Sequence, residues 1–429
     1  MLPNMTIMTD AALFDTTSDR GFAFLPTRRA AEARLQAFLP SAGKAYASKR
    51  NYDFGPDDRS NISALSPYIR HRLLLEQEVL KATLVKHSPS SAEKFIQEVF
   101  WRGYFKGWLE HRPDAWTRYR ADVQHLARQL EDHGGLRKAY EQAVSGATGI
   151  DCFDAWAHEL VETGYLHNHA RMWFASIWIF TLGLPWQLGA DFFYRHLLDG
   201  DPASNTLSWR WVGGLHTKGK TYQARASNID TYTASRFSYP QGLAPSAPPL
   251  DEEPLGPRVP IRLADMVPDT DSPALLLITE EDCHPHTWQL GGARPVAATG
   301  LLATSKRSPL EMGEKASAFA FGAVNEGLEQ AQQVFGIECS GPKSSDDWAA
   351  SLIEAAAAAN TETIVTAFAA IGPVQDQLEG AKPHLEAAGI RLIQVRRPYD
   401  DLTWPHATAG FFKLKTKIPK ILEGLGLGR

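Results

Sequence analysis

Through the first half of the chain, apolar residues recur at intervals of three and four, the spacing that gathers them on one face of an α-helix. Residues 28–39, 66–84 and 92–109 carry this period clearly. Ser90-Ser91-Ala92-Glu93, directly after Pro89, has the form of a capping box opening the third of these helices. From there to His196 no stretch alternates as a strand does, so the first half reads as helical. Residues 172–186 are almost continuously apolar and end near Gly183-Leu184-Pro185. They fall short of the roughly 20 residues needed to span a bilayer, and the pattern predicts a buried core helix.

The pattern changes after residue 238. Residues 239–271 are rich in proline and poor in apolar side chains, which predicts a linker lying on the surface. Beyond it, short β-like runs at 274–279, 294–298, 363–367 and 391–395 are interleaved with helical stretches at 348–359 and 374–388. Ser308-Pro309-Leu310-Glu311 has the composition of a helix start, with Ser as N-cap and Pro in the first turn. Strand–helix alternation predicts a parallel, doubly wound sheet. The expected organisation is a helical domain over 1–238, a linker over 239–271 and an α/β domain over 272–429. The α/β part shows neither a Gly-x-Gly-x-x-Gly fingerprint nor a P-loop.

Composition adds limits. The 429 residues suit two or three domains. Three scattered cysteines (Cys152, Cys283 and Cys339) supply neither a disulfide framework nor a four-thiolate cluster, as expected of a cytoplasmic protein. The first residues, 1–14, lack the basic start and apolar run of a secretory leader. Residues 1–250 hold 28 Lys and Arg against 25 Asp and Glu, a balance of +3, which leaves 16 against 24, or −8, for the remainder. A polyanion is therefore expected to meet the first part, through a local patch. Cys283-His284-Pro285-His286 offers three soft ligands from one loop without a second cluster, and no metal is assigned to it.

Two segments carry the chemistry. The first is His167-Asn168-His169-Ala170-Arg171-Met172; the second runs from Leu198-Asp199-Gly200-Asp201-Pro202-Ala203-Ser204-Asn205 to Trp209-Arg210-Trp211. Together they set a guanidinium, two carboxylates and a carboxamide beside indoles, partners suited to a planar heteroaromatic cofactor with a charged tail. Upstream, Tyr46 is followed by Ser63-Ala64-Leu65-Ser66-Pro67-Tyr68, where hydroxyls and free amides at a helix start can hold phosphate oxygens. Glu98 and Trp101, three residues apart, share a helix face.

These segments, in this order and at these separations, resemble the flavin-cradling core of the photolyase/cryptochrome family, over roughly residues 46–232. The resemblance implies an all-helical FAD-binding domain in which Tyr46, Ser63, Leu65, Ser66, Arg102, Asn168, Arg171, Asp199, Asp201 and Asn205 surround FAD. Ile62 stands where the family usually has Thr. Arg171 and Asp199 are implied to pair across the flavin ring, and Asn205 to face its N5. Glu98 is implied to hydrogen-bond a damaged pyrimidine that Trp101, Met172 and Trp211 pack. Trp186 and Trp209 match two members of an electron-hopping chain. His133 falls where the outermost Trp would sit, with Tyr140, Trp156 or Trp178 as substitutes. Asn168 occupies a site where (6-4)-photoproduct enzymes carry His, which favours cyclobutane dimers; His169 stands where repairing members often carry Arg.

Family members ordinarily place an α/β antenna domain before the flavin domain. Here a Rossmann-like α/β region follows, as in a circular permutation of the two, and a second, antenna chromophore of unknown identity goes with that reading. The expected class is therefore multidomain α and α/β. The expected activity is blue-light-driven repair of damaged DNA, with no membrane and an undetermined oligomeric state. Two alternatives stay open: a cryptochrome-like photoreceptor, and a non-photochemical helical scaffold with a fused α/β module.

Overall fold

The computed structural model describes residues 23–267 and 271–428. Residues 1–14, read above as lacking a secretory leader, lie outside them. Twelve helices come first: α1 (Arg28–Phe38), α2 (Lys44–Lys49), α3 (Ser66–Arg70), α4 (Glu76–Lys86), α5 (Glu93–Glu110), α6 (Asp114–Asp132), α7 (Gly134–Val144), α8 (Asp151–Thr163), α9 (Asn168–Ser176), α10 (Trp186–His196), α11 (Pro202–Val212) and α12 (Ala226–Tyr232). The α/β part follows as β1 (Ser272–Ile278), β2 (Ala293–Leu302), α13 (Glu314–Phe335), β3 (Glu338–Ser344), α14 (Trp348–Ala358), β4 (Thr363–Ala367), α15 (Pro373–Ala387) and β5 (Arg391–Val395). Three short helices close the chain: α16 (Pro398–Thr403), α17 (Phe411–Lys415) and α18 (Ile418–Gly424). A helical region plus a parallel sheet domain is the architecture that the periodicities predict.

Local chemistry explains where the site-bearing helices start and stop. Thr27 caps α1 by accepting from the Ala30 amide at 3.2 Å. Asp201 caps α11 through the Ser204 amide at 2.8 Å, with Pro202 in the first turn where its missing N–H costs nothing. Gly164 ends α8 in the left-handed conformation, at φ 66.

Four expectations need correction. The helix read over 66–84 breaks into α3 and α4, because Arg72 turns the backbone to φ 51. The capping box at Ser90 does not form: Ala92 is the N-cap of α5 and no side chain caps it. Ser308 does not open α13, whose N-cap is Gly313; its hydroxyl accepts from the Leu310 amide at 2.9 Å and holds a turn instead. The apolar run at 172–186 is not one helix: α9 widens into a π turn over Ile177–Thr181, and α10 starts afresh at Trp186.

The sheet is parallel throughout, in the order β3-β2-β1-β4-β5. Strands β1 and β4 are buried along both faces, the pattern of a sheet covered by helices on each side. The chain reverses direction across the sheet between β1 and β4, and it is there that the helical part is attached. Leaving β1, Glu281 accepts from Arg70 at 2.6 Å and from Lys106 at 3.1 Å. Asp282 is held by Arg397 at 2.5 and 2.8 Å, and Arg72 reaches Asp400 at 2.7 Å. Leaving β4, the Ile371 amide donates to Glu110 at 2.9 Å, and Arg262 bonds both Glu110 and the Ala369 carbonyl. All of these carboxylates are buried. None of the described helices is long and apolar enough to cross a membrane.

Candidate flavin site

Helices α3, α5, α9 and α11 converge on the residues singled out in the sequence. The ring of His167 caps α9 by accepting from the His169 amide at 3.1 Å, which sets the first turn and turns Arg171 inward. Arg171 then makes a two-pronged pair with Asp199, at 3.1 and 2.9 Å, while its Nε donates to the Leu166 carbonyl at 2.8 Å. Burial alone would lift the Asp199 carboxyl; the Arg171 guanidinium and a hydrogen bond from Ser66 hold it below the ordinary carboxylate range. The pair that the resemblance implied is formed, and it is joined by Ser66 from α3.

Asp201 lies two residues on, fully buried. Its free oxygen faces Arg70 at 3.8 Å, Arg102 at 3.8 Å and Lys106 at 3.7 Å, too far for hydrogen bonds. Burial opposes its charge, yet Lys106, Arg102 and Arg70 together keep it ionised far below the usual range. Among the described residues, Arg102 Nη2 and Asp201 Oδ2 have no hydrogen-bond partner. A buried guanidinium N–H left over in this way is costly unless something accepts from it. The chemistry of the set fits FAD: anion-binding donors from Arg102 and the Ser63–Ser66 segment, and a planar guanidinium–carboxylate pair to face polar edges of a ring. Ala64 within that segment adopts φ 44, a strained turn that brings Ser63 and Leu65 round to the start of α3.

The remaining residues are placed as follows. Tyr46 is buried edge-on against Phe38 and Phe95, and Leu65 is buried in the same core. Asn205 donates to the Ala190 carbonyl at 2.8 Å, which fixes its carboxamide. Asn168 is exposed at the start of α9, and Met172 is half-buried. Glu98, 34% exposed at its side chain, is paired with Arg50 at 2.8 Å. Burial pushes its carboxyl up against the pull of Arg50 and Lys94. One face of Trp101 is stacked on Phe411 of α17, with centroids 3.8 Å apart and planes at 10°. Trp211 packs on Tyr222 at 5.8 Å.

The indoles separate into distinct runs. Trp209 lies 6.2 Å from Trp178, which lies 6.1 Å from Tyr140. Trp186 instead stacks on Tyr119 at 5.7 Å and donates to Glu252. Trp156 stacks on Trp173, and Trp173 on His169, forming another row. His133 sits exposed between α6 and α7. Two features escaped the sequence reading. Gly189 has no room for a side chain: a Cβ there would meet Trp209 at 2.3 Å and Trp178 at 2.9 Å, so glycine lets the two rings approach. Tyr222 joins His169 at 2.8 Å and Asn228 at 3.4 Å, on the wall of an open groove of about 590 Å³. A polar run after Trp211 was the only available hint. In the Cys283–His286 loop, to which no metal was assigned, His284 and His286 bond each other at 2.8 Å, and Arg28 bonds His284 at 3.2 Å.

Residues 95–236 match a family model described as the FAD binding domain of DNA photolyase. The chain is similar to the deoxyribodipyrimidine photo-lyase of Synechococcus sp., with 32% identity over 201 residues, or 45% of this chain and 40% of that one. It is also similar to the enzyme of that name from Thermus thermophilus, with 33% identity over 198 residues, or 46% and 45% of the two chains. It therefore spans less than half the length of these relatives. Two solved structures are also similar. One is a bacterial class III photolyase from Agrobacterium tumefaciens, with TM-score 0.39, 24% identity, and 48% of this chain and 44% of that chain covered. The other is a Synechocystis cryptochrome, with TM-score 0.41, 24% identity, and 50% and 44% covered.

Residues 95–236 thus correspond to a flavin-binding domain, and the cofactor of that domain is FAD. Over that segment the chain resembles the photolyase/cryptochrome family.

Proposed function

We propose that the protein repairs cyclobutane pyrimidine dimers in DNA by light-driven electron transfer. The observation that carries this reading is the meeting of the Arg171–Asp199 pair with Arg102 and Asp201, on helices that also present Glu98 and Trp101. The relatives' name, deoxyribodipyrimidine photo-lyase, supports it. Bound there in its reduced form, FAD would supply the electron that splits the dimer under blue light. Ser63, Ser66 and Arg102 hold its phosphates, Arg171 and Asp199 orient its ring, and Asn205 presents a fixed carboxamide to that ring. Glu98, released from Arg50, hydrogen-bonds the flipped pyrimidines; Trp101, Met172 and Trp211 pack them. Flipping a base costs a few kcal/mol, least for a lesion that already stacks poorly.

The α/β part is read as an antenna-like domain set after, rather than before, the flavin domain. Its five parallel strands, joined to the helical part at the sheet's switch point, support this. Three free cysteines accord with a reducing cytoplasm. A second reading, a blue-light receptor, is favoured by one observation: Trp209, Trp178 and Tyr140 form an unbroken aromatic path away from the flavin helices.

The test is direct. Protein with reduced FAD should restore dimer-containing oligonucleotide under blue light and leave it untouched in the dark; no repair in the light refutes the assignment. Arg171→Ala with Asp199→Ala should purify with markedly less flavin, read from visible absorbance, and undiminished flavin would refute the site.

A further inference from the structure

The α/β part is acidic overall, yet its last helices reverse the sign. Residues 411–420 contain four lysines and no Asp or Glu, whereas the rest of 251–429 holds 12 basic against 24 acidic residues. Lys415 is paired with Glu93 of α5 at 2.9 Å. Lys413, Lys417 and Lys420 are exposed and have no acidic partner among the described residues. Lys417 and Lys420 stand close enough to His406 to depress its basicity further, beyond the effect of its burial.

The position of this segment is fixed. Phe411 is buried, stacked face to face on Trp101 and edge-on to Tyr104 at 5.6 Å. That contact, with the Lys415–Glu93 pair, lays α17 along α5, the helix that carries Glu98. Arg50 pairs with Glu98, Lys94 acts on the same carboxylate, and Lys44, Lys49 and Lys94 are all exposed, so cations from the N-terminal part join those of α17 on α5. Phe412, 78% exposed, is the one large apolar side chain displayed by α17 and α18, because Leu414, Ile418 and Ile421 face inward. A single ring is too little for insertion into a lipid surface. Unneutralised lysines around an aromatic wall suit a phosphodiester backbone, which supplies closely spaced negative charge without demanding apolar area.

We propose that α17 and α18 form a clamp for double-stranded DNA, with backbone phosphates running over Lys413, Lys417 and Lys420 toward Trp101 and Phe412 resting on a sugar. DNA is placed here by charge, and the lesion at Trp101 rests on the repair reading above. The C-terminal segment would thereby supply nucleic-acid grip that the acidic balance of its half conceals.

The full-length protein carrying Lys413→Ala, Lys417→Ala and Lys420→Ala is compared with wild type by fluorescence anisotropy. The probes are double-stranded oligonucleotides with and without one thymine dimer, over a range of salt. Each lost phosphate contact lowers the slope of log affinity against log salt by ~0.9. The triple variant should therefore lose about 3 from the slope and bind both duplexes about tenfold or more weaker at low salt. A control with Lys343→Ala and Lys382→Ala, exposed lysines elsewhere, should match wild type. An unchanged slope in the triple variant overturns the clamp. So does wild-type binding to phosphatidylserine vesicles in place of duplex. Loss of slope without any preference for the dimer upholds the clamp and sinks the repair reading; retained preference with unchanged slope does the reverse.

Discussion

Gly189 shows how one position can govern an aromatic path. Alanine is ordinarily better than glycine inside a helix by about 1 kcal/mol. Here its methyl would lie 2.3 Å from the Trp209 ring, and overpacking of this kind costs about 1–3 kcal/mol. Gly189→Ala should therefore lower the urea midpoint and shift the tryptophan emission of the folded protein; a more stable variant would contradict the packing described. Residues of this sort are hard to read from sequence. A glycine in an apolar stretch carries no mark of the ring it admits, and that ring is on the next helix. Arg171 and Asp199 were legible because the chemistry of a charged pair shows in residue type, and their separation matched a known cofactor cradle. Glu98 and Trp101 were legible as a helix-face pair, but not their partners Arg50 and Phe411, which come from distant segments.

At the level of elements, helices announced themselves better than their ends. Ser90 looks like a cap and is not one, whereas Asp347, which attracted no notice, accepts from the Ala350 amide at 2.9 Å and starts α14. Asp347→Ala should cost about 1 kcal/mol in thermal or chemical unfolding, and Ser90→Ala less than about 0.5 kcal/mol. Equal effects would mean that the caps are misassigned. The edge strand β3 was missed because Glu-Cys-Ser-Gly-Pro-Lys-Ser has no apolar alternation, and it pairs on one side only, with β2. The π turn at Ile177–Thr181 was hidden for the opposite reason: an unbroken apolar run looks alike whether four or five residues close each backbone ring.

Across the whole molecule, the junction between the helical part and the sheet could not have been foreseen, since Arg72 and Asp400 are 328 positions apart. Several histidines near it or in the helical core, His71, His167, His216 and His284, have their basicity lowered, chiefly by burial. His216 is brought to about 4. A depressed histidine adds nothing to the pH dependence above its unfolded value near 6.5, and loses stability as pH falls from there to its folded value. Each such ring should cost about 2 kcal/mol at pH 5. In urea unfolding the change in stability between pH 7 and 5 should be less unfavourable in His216→Phe than in the wild type, by about 2 kcal/mol; an equal change in both would refute the lowered basicity of His216. The seam itself has a further consequence. Severed at residue 271, each product would carry bare carboxylates or guanidinium groups that had been sealed from water, and losing one member of such a pair costs about 3–5 kcal/mol. The two parts should therefore lose their structure together rather than one after the other.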